Sequence, residues 1–270
     1  MKPSKVSSLI LGSAAMLAVS SAHASFTITL AQTPEELVQA FFGSSGNITI
    51  VPGSVQYSGV YLYQAGTTSD GNILLSTGAA LKHESGKYKP SEGEKLGTGS
   101  NADLAALVGV NTNQTFDQNV LTFSFTVNDP SVNTISTTFV FASDEYSRDP
   151  DLYWRNDVFG FFVDGENYAF LPNGSVVSVH NIDHVNGNDY GYAGRSLEYS
   201  IVATLDPNVT VHTITIAIAD VMHDRYDSAV FLGPISLSNT PAIPEPETWA
   251  MMLVGLGLVG GVAKRRRRQK

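Results

Sequence analysis

The chain has 270 residues, of which 43% are hydrophobic and 15% charged, with no cysteine and a formal net charge of −9. The lack of cysteine excludes a disulfide scaffold, thiolate zinc sites, iron–sulfur clusters and a cysteine nucleophile. The hydrophobic fraction excludes wholesale disorder, and the acidic balance excludes nucleic acid as the main partner, because phosphate binding needs clustered Lys and Arg.

Residues 1–24 read as a secretory signal peptide rather than a buried N-terminal helix. Lys2 and Lys5 give a positive start, Leu9 to Val19 is apolar, and Ala22-His23-Ala24 is a small-x-small site for signal peptidase between Ala24 and Ser25. A helix is expected next. Thr33-Pro34-Glu35-Glu36 is a capping box, Leu37, Val38, Phe41 and Phe42 form an apolar face, and Gly43 is a stop. A second helical turn is expected over Ala102 to Val108.

Most of the remainder has strand character. Leu121 to Val127 alternates apolar and polar residues, which places one face in a core and the other toward water. Further strands are expected at Ser136–Phe141, Val158–Val163, Tyr168–Leu171, Val176–Val179, Leu197–Leu205, Val211–Ala219 and Ala229–Leu237. Turn signals such as Asp129-Pro130, Asp164-Gly165, Asn173-Gly174 and Asp206-Pro207-Asn208 separate them. The pattern predicts an all-β fold over residues 25–237, an antiparallel β-sandwich or jelly roll with a short N-terminal helix. Ser85 to Ser100, rich in Gly, Ser, Lys and Glu, reads as a mobile surface loop.

The acidic residues gather in two places. Asp144, Glu145, Asp149, Asp151 and Asp157 lie close together, as do Asp220, Asp224 and Asp227, and both groups fall at strand ends where loops converge. Convergent carboxylates repel unless protons or a cation neutralise them. Calcium suits such a group because it takes six to eight oxygen ligands in flexible geometry. The candidate ligands are Glu145, Asp157, Asp220 and Asp227, with Asp144, Asn156 and Asp224 as additional candidates. The competing reading is a set of solvated loop carboxylates and turn caps.

Other chemistry is weaker. Glycoside hydrolysis needs two carboxyl groups about 5–5.5 or about 6.5–9.5 Å apart. Asp144 and Glu145 are neighbours on a strand and point to opposite faces, so they make a poor pair. His180 and His184 have helical metal-site spacing, but on a strand they stand about 13 Å apart. No Gly-x-Ser-x-Gly or phosphate-binding Gly loop is present. Tyr146, Tyr153, Trp154, Tyr190 and Tyr192 flank the acidic loops and form either a sugar-stacking surface or part of the core.

The C-terminus has three parts. Residues 238–247 form a Pro-rich linker containing Pro244-Glu245-Pro246, residues 248–263 carry no charge, and residues 264–270 form a basic tail. The apolar run is about 24 Å long as a helix, short for a bilayer core of about 30 Å but able to span with Trp249 at one interface and the arginines cytoplasmic. This order resembles the PEP-CTERM sorting signal of Gram-negative bacteria. The resemblance implies a transient inner-membrane anchor and an exosortase that cuts near Pro244, Glu245 and Pro246; the competing reading is a tail anchor that is never cut. Residues 25–244 then hold 8 basic and 23 acidic residues, a net of −15.

A second resemblance covers residues 36–237. Gly71-Asn72-Ile73-Leu74-Leu75-Ser76-Thr77-Gly78, Asn101-Ala102-Asp103-Leu104, Phe139-Val140-Phe141-Ala142-Ser143-Asp144-Glu145-Tyr146, Asn156-Asp157-Val158-Phe159-Gly160-Phe161-Phe162 and Asp227-Ser228-Ala229-Val230-Phe231-Leu232 resemble the choice-of-anchor L family. That family implies an exported bacterial β-protein and no known catalysis. The expectation is a non-enzymatic protein of the cell surface or extracellular matrix, structural or adhesive, associated with exopolysaccharide. The alternatives are a calcium-dependent carbohydrate-binding module and a surface glycoside hydrolase.

Overall fold

The computed structural model describes residues 26–43, 47–60, 63–83, 93–147 and 156–239. The signal peptide with Ala24 and Ser25, the motif Pro244-Glu245-Pro246, the apolar run 248–263 and the basic tail lie outside the described residues, as do Asp149, Asp151, Tyr153 and Trp154. Among the described residues no helix is long and apolar enough to cross a membrane.

In chain order the elements are β1 (Ile28–Leu30), α1 (Pro34–Phe42), β2 (Ile48–Ile50), β3 (Gln56–Ser58), β4 (Ala65–Thr68), β5 (Ile73–Ser76), α2 (Ala102–Val108), β6 (Thr115–Val127), β7 (Thr134–Ser143) and β8 (Val158–Val163). Four two-residue strands follow, β9 (Glu166–Asn167), β10 (Val177–Ser178), β11 (Val185–Asn186) and β12 (Gly194–Arg195), then β13 (Tyr199–Thr204), β14 (His212–Val221), β15 (Ser228–Leu232) and β16 (Ser236–Ser238).

Helix α1 starts and stops where its cap residues place it. Thr33 Oγ1 accepts from the Glu36 amide at 3.2 Å, and Gly43 ends the helix at φ 58°. The return half of the box is displaced: the Glu36 carboxylate accepts from the Gln32 amide at 2.7 Å instead of from Thr33.

Several strands differ from expectation for identifiable reasons. The segment 168–171 is not a strand; Phe170 makes a single bridge with Val176. The Asn167 side chain accepts from the amides of Phe161 and Ala169 and so takes the place of a backbone ladder. The expected strand 229–237 breaks into β15 and β16 at Gly233-Pro234, where proline has no amide to pair. Strand β4, with Ala65, Gly66, Thr67 and Thr68, carries no apolar alternation to reveal it. Its Gly66 lies so close to β1 that a Cβ would stand 2.5 Å from the Thr29 carbonyl.

Among the described residues all strand pairs are antiparallel, in two sheets. One runs β1-β4-β5-β15-β7-β12-β11, with β13 and β16 also paired to β7; the other runs β10-β8-β14-β6-β2, with β3 on β6 and β9 on β8. The main core lies between their inner faces, with Phe139, Phe141, Val230 and Leu232 from one sheet and Phe123, Phe125, Phe159, Phe161 and Ile216 from the other. This is the expected β-sandwich.

Two smaller apolar groups sit on the outer faces. Leu104 of α2 covers Val158, Phe162, Ala217, Ala219 and Val221 on one sheet. Tyr190, Tyr192 and Phe26 cover Val140, Ala142, Ala229 and Phe231 on the other. Strands β8 and β15 are therefore buried on both faces and lose the alternation that marks β6. This doubly covered zone holds the acidic residues.

Phe161 is fully buried and meets Phe41 at 6.3 Å between ring centroids. Phe161→Ala should cost about 3–5 kcal/mol. Thermal melts are expected to show a fall of at least about 6 °C, given about 2–4 °C per kcal/mol for a domain of this size.

Candidate functional site

Five carboxylates predicted in the acidic loops are brought to one end of the sandwich. Asp144, Glu145, Asp157, Asp220 and Asp227 are each at most 2% exposed, so these five are not solvated loop carboxylates. Asp144 and Glu145 follow the end of β7, Asp157 precedes β8, Asp220 lies near the end of β14, and Asp227 precedes β15. A register shift between Ile218 and Asp220 marks an irregularity in the pairing of β14 with β6 just before Asp220.

Hydrogen bonds tie these strand ends together. Asp157 Oδ1 accepts from the Val221 amide at 3.1 Å, and its Oδ2 accepts from the Ser228 hydroxyl at 2.6 Å. The Ser228 and Ser143 hydroxyls are 2.8 Å apart. Glu145 Oε2 accepts from the Asp157 amide at 3.4 Å, and Glu145 Oε1 lies 3.0 Å from His223 Nε2. Asp144 Oδ1 accepts from the Ala193 amide at 3.0 Å, and the Asp144 amide donates to the Asp227 carbonyl at 3.1 Å. Asp227 Oδ1 accepts from the Glu94 amide at 3.3 Å.

The surrounding backbone is shaped to this centre. A Cβ on Gly78 would stand 2.0 Å from the Asp227 carboxylate, and one on Gly93 2.6 Å from it. Met222 and Tyr226, between Asp220 and Asp227, adopt left-handed φ values of 71° and 65°. Such conformations cost non-glycine residues of order 1 kcal/mol or more and persist where surrounding structure imposes them.

Asp220 stands apart from the others. It is 1% exposed, and neither carboxylate oxygen meets a donor in hydrogen-bonding geometry. The Thr77 hydroxyl lies close enough to favour its charged form, but burial and the charges of Asp157, Asp227 and Glu145 outweigh this and push its carboxyl well above the usual range. Burial also drives Asp157 well above that range, reinforced by Glu145 and opposed by the Ser228 hydroxyl, His223 and the Val221 amide. Among the described residues no three His, Asp or Glu side chains stand in ready metal-chelating geometry.

Two of the additional candidates do not join the group. Asp224 is partly exposed and pairs with Lys95, which lowers its pKa. Asn156 uses its side-chain oxygen to accept from the His180 amide at 3.1 Å. His180 and His184 form no common site; the His184 ring stacks on Tyr146 at 4.5 Å. Tyr190 and Tyr192 are buried against the outer face of the first sheet and offer no surface for a sugar ring. Residues 93–100 are also not a free loop. The Leu96 and Gly97 amides donate to the buried Asp117 carboxylate at 2.9 and 2.6 Å.

Ser143, Thr77, Gly78, Ser228 and the Glu94 amide escaped prediction because none carries a charge. Four of these residues nevertheless fall inside the sequence blocks that hold the carboxylates or flank β5. The choice-of-anchor L domain matches residues 27–238, which spans every element of both sheets. This chain belongs to the choice-of-anchor L family. The PEP-CTERM protein-sorting motif matches residues 242–268. The choice-of-anchor L domain is thus joined to a sorting signal, and the protein is exported to the cell surface or the extracellular space. No curated protein matches the chain. A solved carbohydrate-binding module, described for specific mannan recognition, aligns at 10% identity over 81% of this chain and 100% of that chain, with a TM-score of 0.29.

Two outcomes follow from the buried centre of this choice-of-anchor L domain. Asp157 and Asp220 are raised in the folded state, so with divalent ions chelated the native protein holds more protons than the unfolded chain above about pH 4. The stability they contribute is complete below that pH and is lost as pH rises through their folded values. Melts in EDTA should give a higher Tm near pH 5 than near pH 8; the reverse order would contradict these assignments. Ser228→Ala removes a donor from Asp157 and should cost about 1–3 kcal/mol. A urea midpoint equal to that of the unaltered protein would show that Ser228 does not hold Asp157.

Proposed function

We propose that this domain is a structural or adhesive component of the surface or extracellular matrix of a Gram-negative bacterium, associated with exopolysaccharide. Residues 248–263 hold the chain in the inner membrane during export, and an exosortase releases it by cleavage near Pro244-Glu245-Pro246. One observation carries this reading: the last described strand ends just before the sorting motif. Strand β16 pairs Leu237 with Ile135 and Ser238 with Thr134, and the motif begins at residue 242. Cleavage in the linker therefore leaves every described strand in the released domain.

The polar centre supports a non-catalytic role. Among the described residues its carboxylates are buried, out of reach of a glycosidic oxygen. The outer face of β6 and β14 supports contact with a neutral polymer. It presents paired hydroxyls, Thr122 with Thr215 and Ser124 with Thr213, each pair at 3.0 Å, and carries no charge at these positions.

Glu245→Ala should leave the uncut chain in the membrane fraction, read by cell fractionation and immunoblot. Release of that variant at the normal rate would overturn the export route. Co-sedimentation of the exported protein with exopolysaccharide tests the association. Binding that survives chelator fits the structural role, binding lost in chelator makes the domain a calcium-dependent carbohydrate-binding module, and absence of binding removes the polysaccharide link.

A further inference from the structure

We infer that the end of the sandwich built from β7, β8, β14 and β15 is a divalent-cation site whose central ligands are Asp157 and Asp220, with Glu145 and Asp227 beside them, and that calcium is the ion whose chemistry fits. The inference is independent of the matrix role.

The acidic group alone would not carry it, since buried carboxylates also occur in satisfied networks. Asp220 supplies the second observation. Its side chain is sealed from water, faces Asp157, Asp227 and Glu145, and has neither oxygen in hydrogen-bonding geometry with a donor, although the Thr77 hydroxyl lies nearby. A buried carboxylate is otherwise bonded by two or more donors, because each unmet acceptor costs about 1–3 kcal/mol. Asp157 shows the contrast: its two oxygens are held by the Val221 amide and the Ser228 hydroxyl. Those bonds fix one carboxylate in place and leave its remaining lone pairs for an ion. Asp220 is the member free to swing onto it.

The donor set selects the ion. All central candidates are carboxylate oxygens from four different strand ends, with no thiolate and with His223 turned to Glu145 at 3.0 Å. Hard oxygen ligands suit calcium or magnesium over zinc or copper. Carboxylates on separate strands adjust individually, which suits the flexible shell of calcium better than the strict octahedron of magnesium. Since the side chains do not already converge on one point, binding draws Asp220 toward Asp157 and tightens the four strand ends together.

The test is calorimetric titration of Ca²⁺, then Mg²⁺, into the exported protein, with melts run in parallel. Calcium should bind with a Kd of about 0.1–1 mM, the range of extracellular modules. At tenfold excess over Kd the Tm should rise by about 3–6 °C. Asp220→Asn should weaken calcium at least tenfold while the variant melts no lower than the unaltered protein in chelator, because the amide removes a buried charge. Asp224→Asn, outside the group, should bind within twofold of the unaltered protein. No heat and no Tm shift at 5 mM Ca²⁺ would overturn the inference. So would equal binding by Asp220→Asn, or magnesium binding tighter than calcium.

Discussion

A carboxylate taken out of water must be protonated, bonded by several donors, or given a cation. Five of them at one end of a sandwich make that requirement the organising constraint of this protein. The surrounding structure answers it piece by piece. Amides of Val221, Ala193 and Glu94 point into the centre, Ser143 and Ser228 bridge two strand ends, and His223 faces Glu145. The seal is apolar: Leu104 on one outer face, Tyr190 and Tyr192 on the other. Without those covers the carboxylates would be hydrated and the constraint would vanish.

The same centre does the work of a cross-link in an exported chain that has no cysteine. Its bonds join residues far apart in sequence, 133 positions between Glu94 and Asp227, 71 between Asp157 and Ser228, and 64 between Asp157 and Val221. Contacts of that reach close large loops, and their cost in chain entropy grows slowly with loop length. The left-handed Met222 and Tyr226 show the backbone bent to keep Asp220 and Asp227 within the group. Strain at these two positions is the counterpart of the polar contacts they enable.

Much of this was legible in the residues. The alternation of Leu121 to Val127 marked a half-buried strand, the turn dipeptides marked a sandwich, and the carboxylate clusters marked the end where loops meet. What stayed hidden has physical reasons. Strands β8 and β15 are covered on both faces, so their period carries no sign of which side is core. Strand β4 pairs with β1 through close backbone contact at Gly66, and its own Ala-Gly-Thr-Thr carries no apolar alternation. The exclusion of Asp224 and Asn156 depends on partners, Lys95 and the His180 amide, that only the folded chain brings near. Burial of the carboxylates was also invisible, because an acidic loop and an acidic core look alike without the apolar covers. The burial of Tyr190 and Tyr192 follows the same logic: aromatics beside acidic loops served as the lid.

The most direct measurement is a crystal structure of the exported protein grown in calcium, with anomalous scattering recorded to locate the ion. The expected result is a peak between Asp157 and Asp220, with oxygen ligands at about 2.3–2.6 Å and Glu145 or Asp227 in the shell. A map with no peak there, and with Asp220 hydrogen-bonded to protein donors through both oxygens, would contradict a cation-centred sandwich.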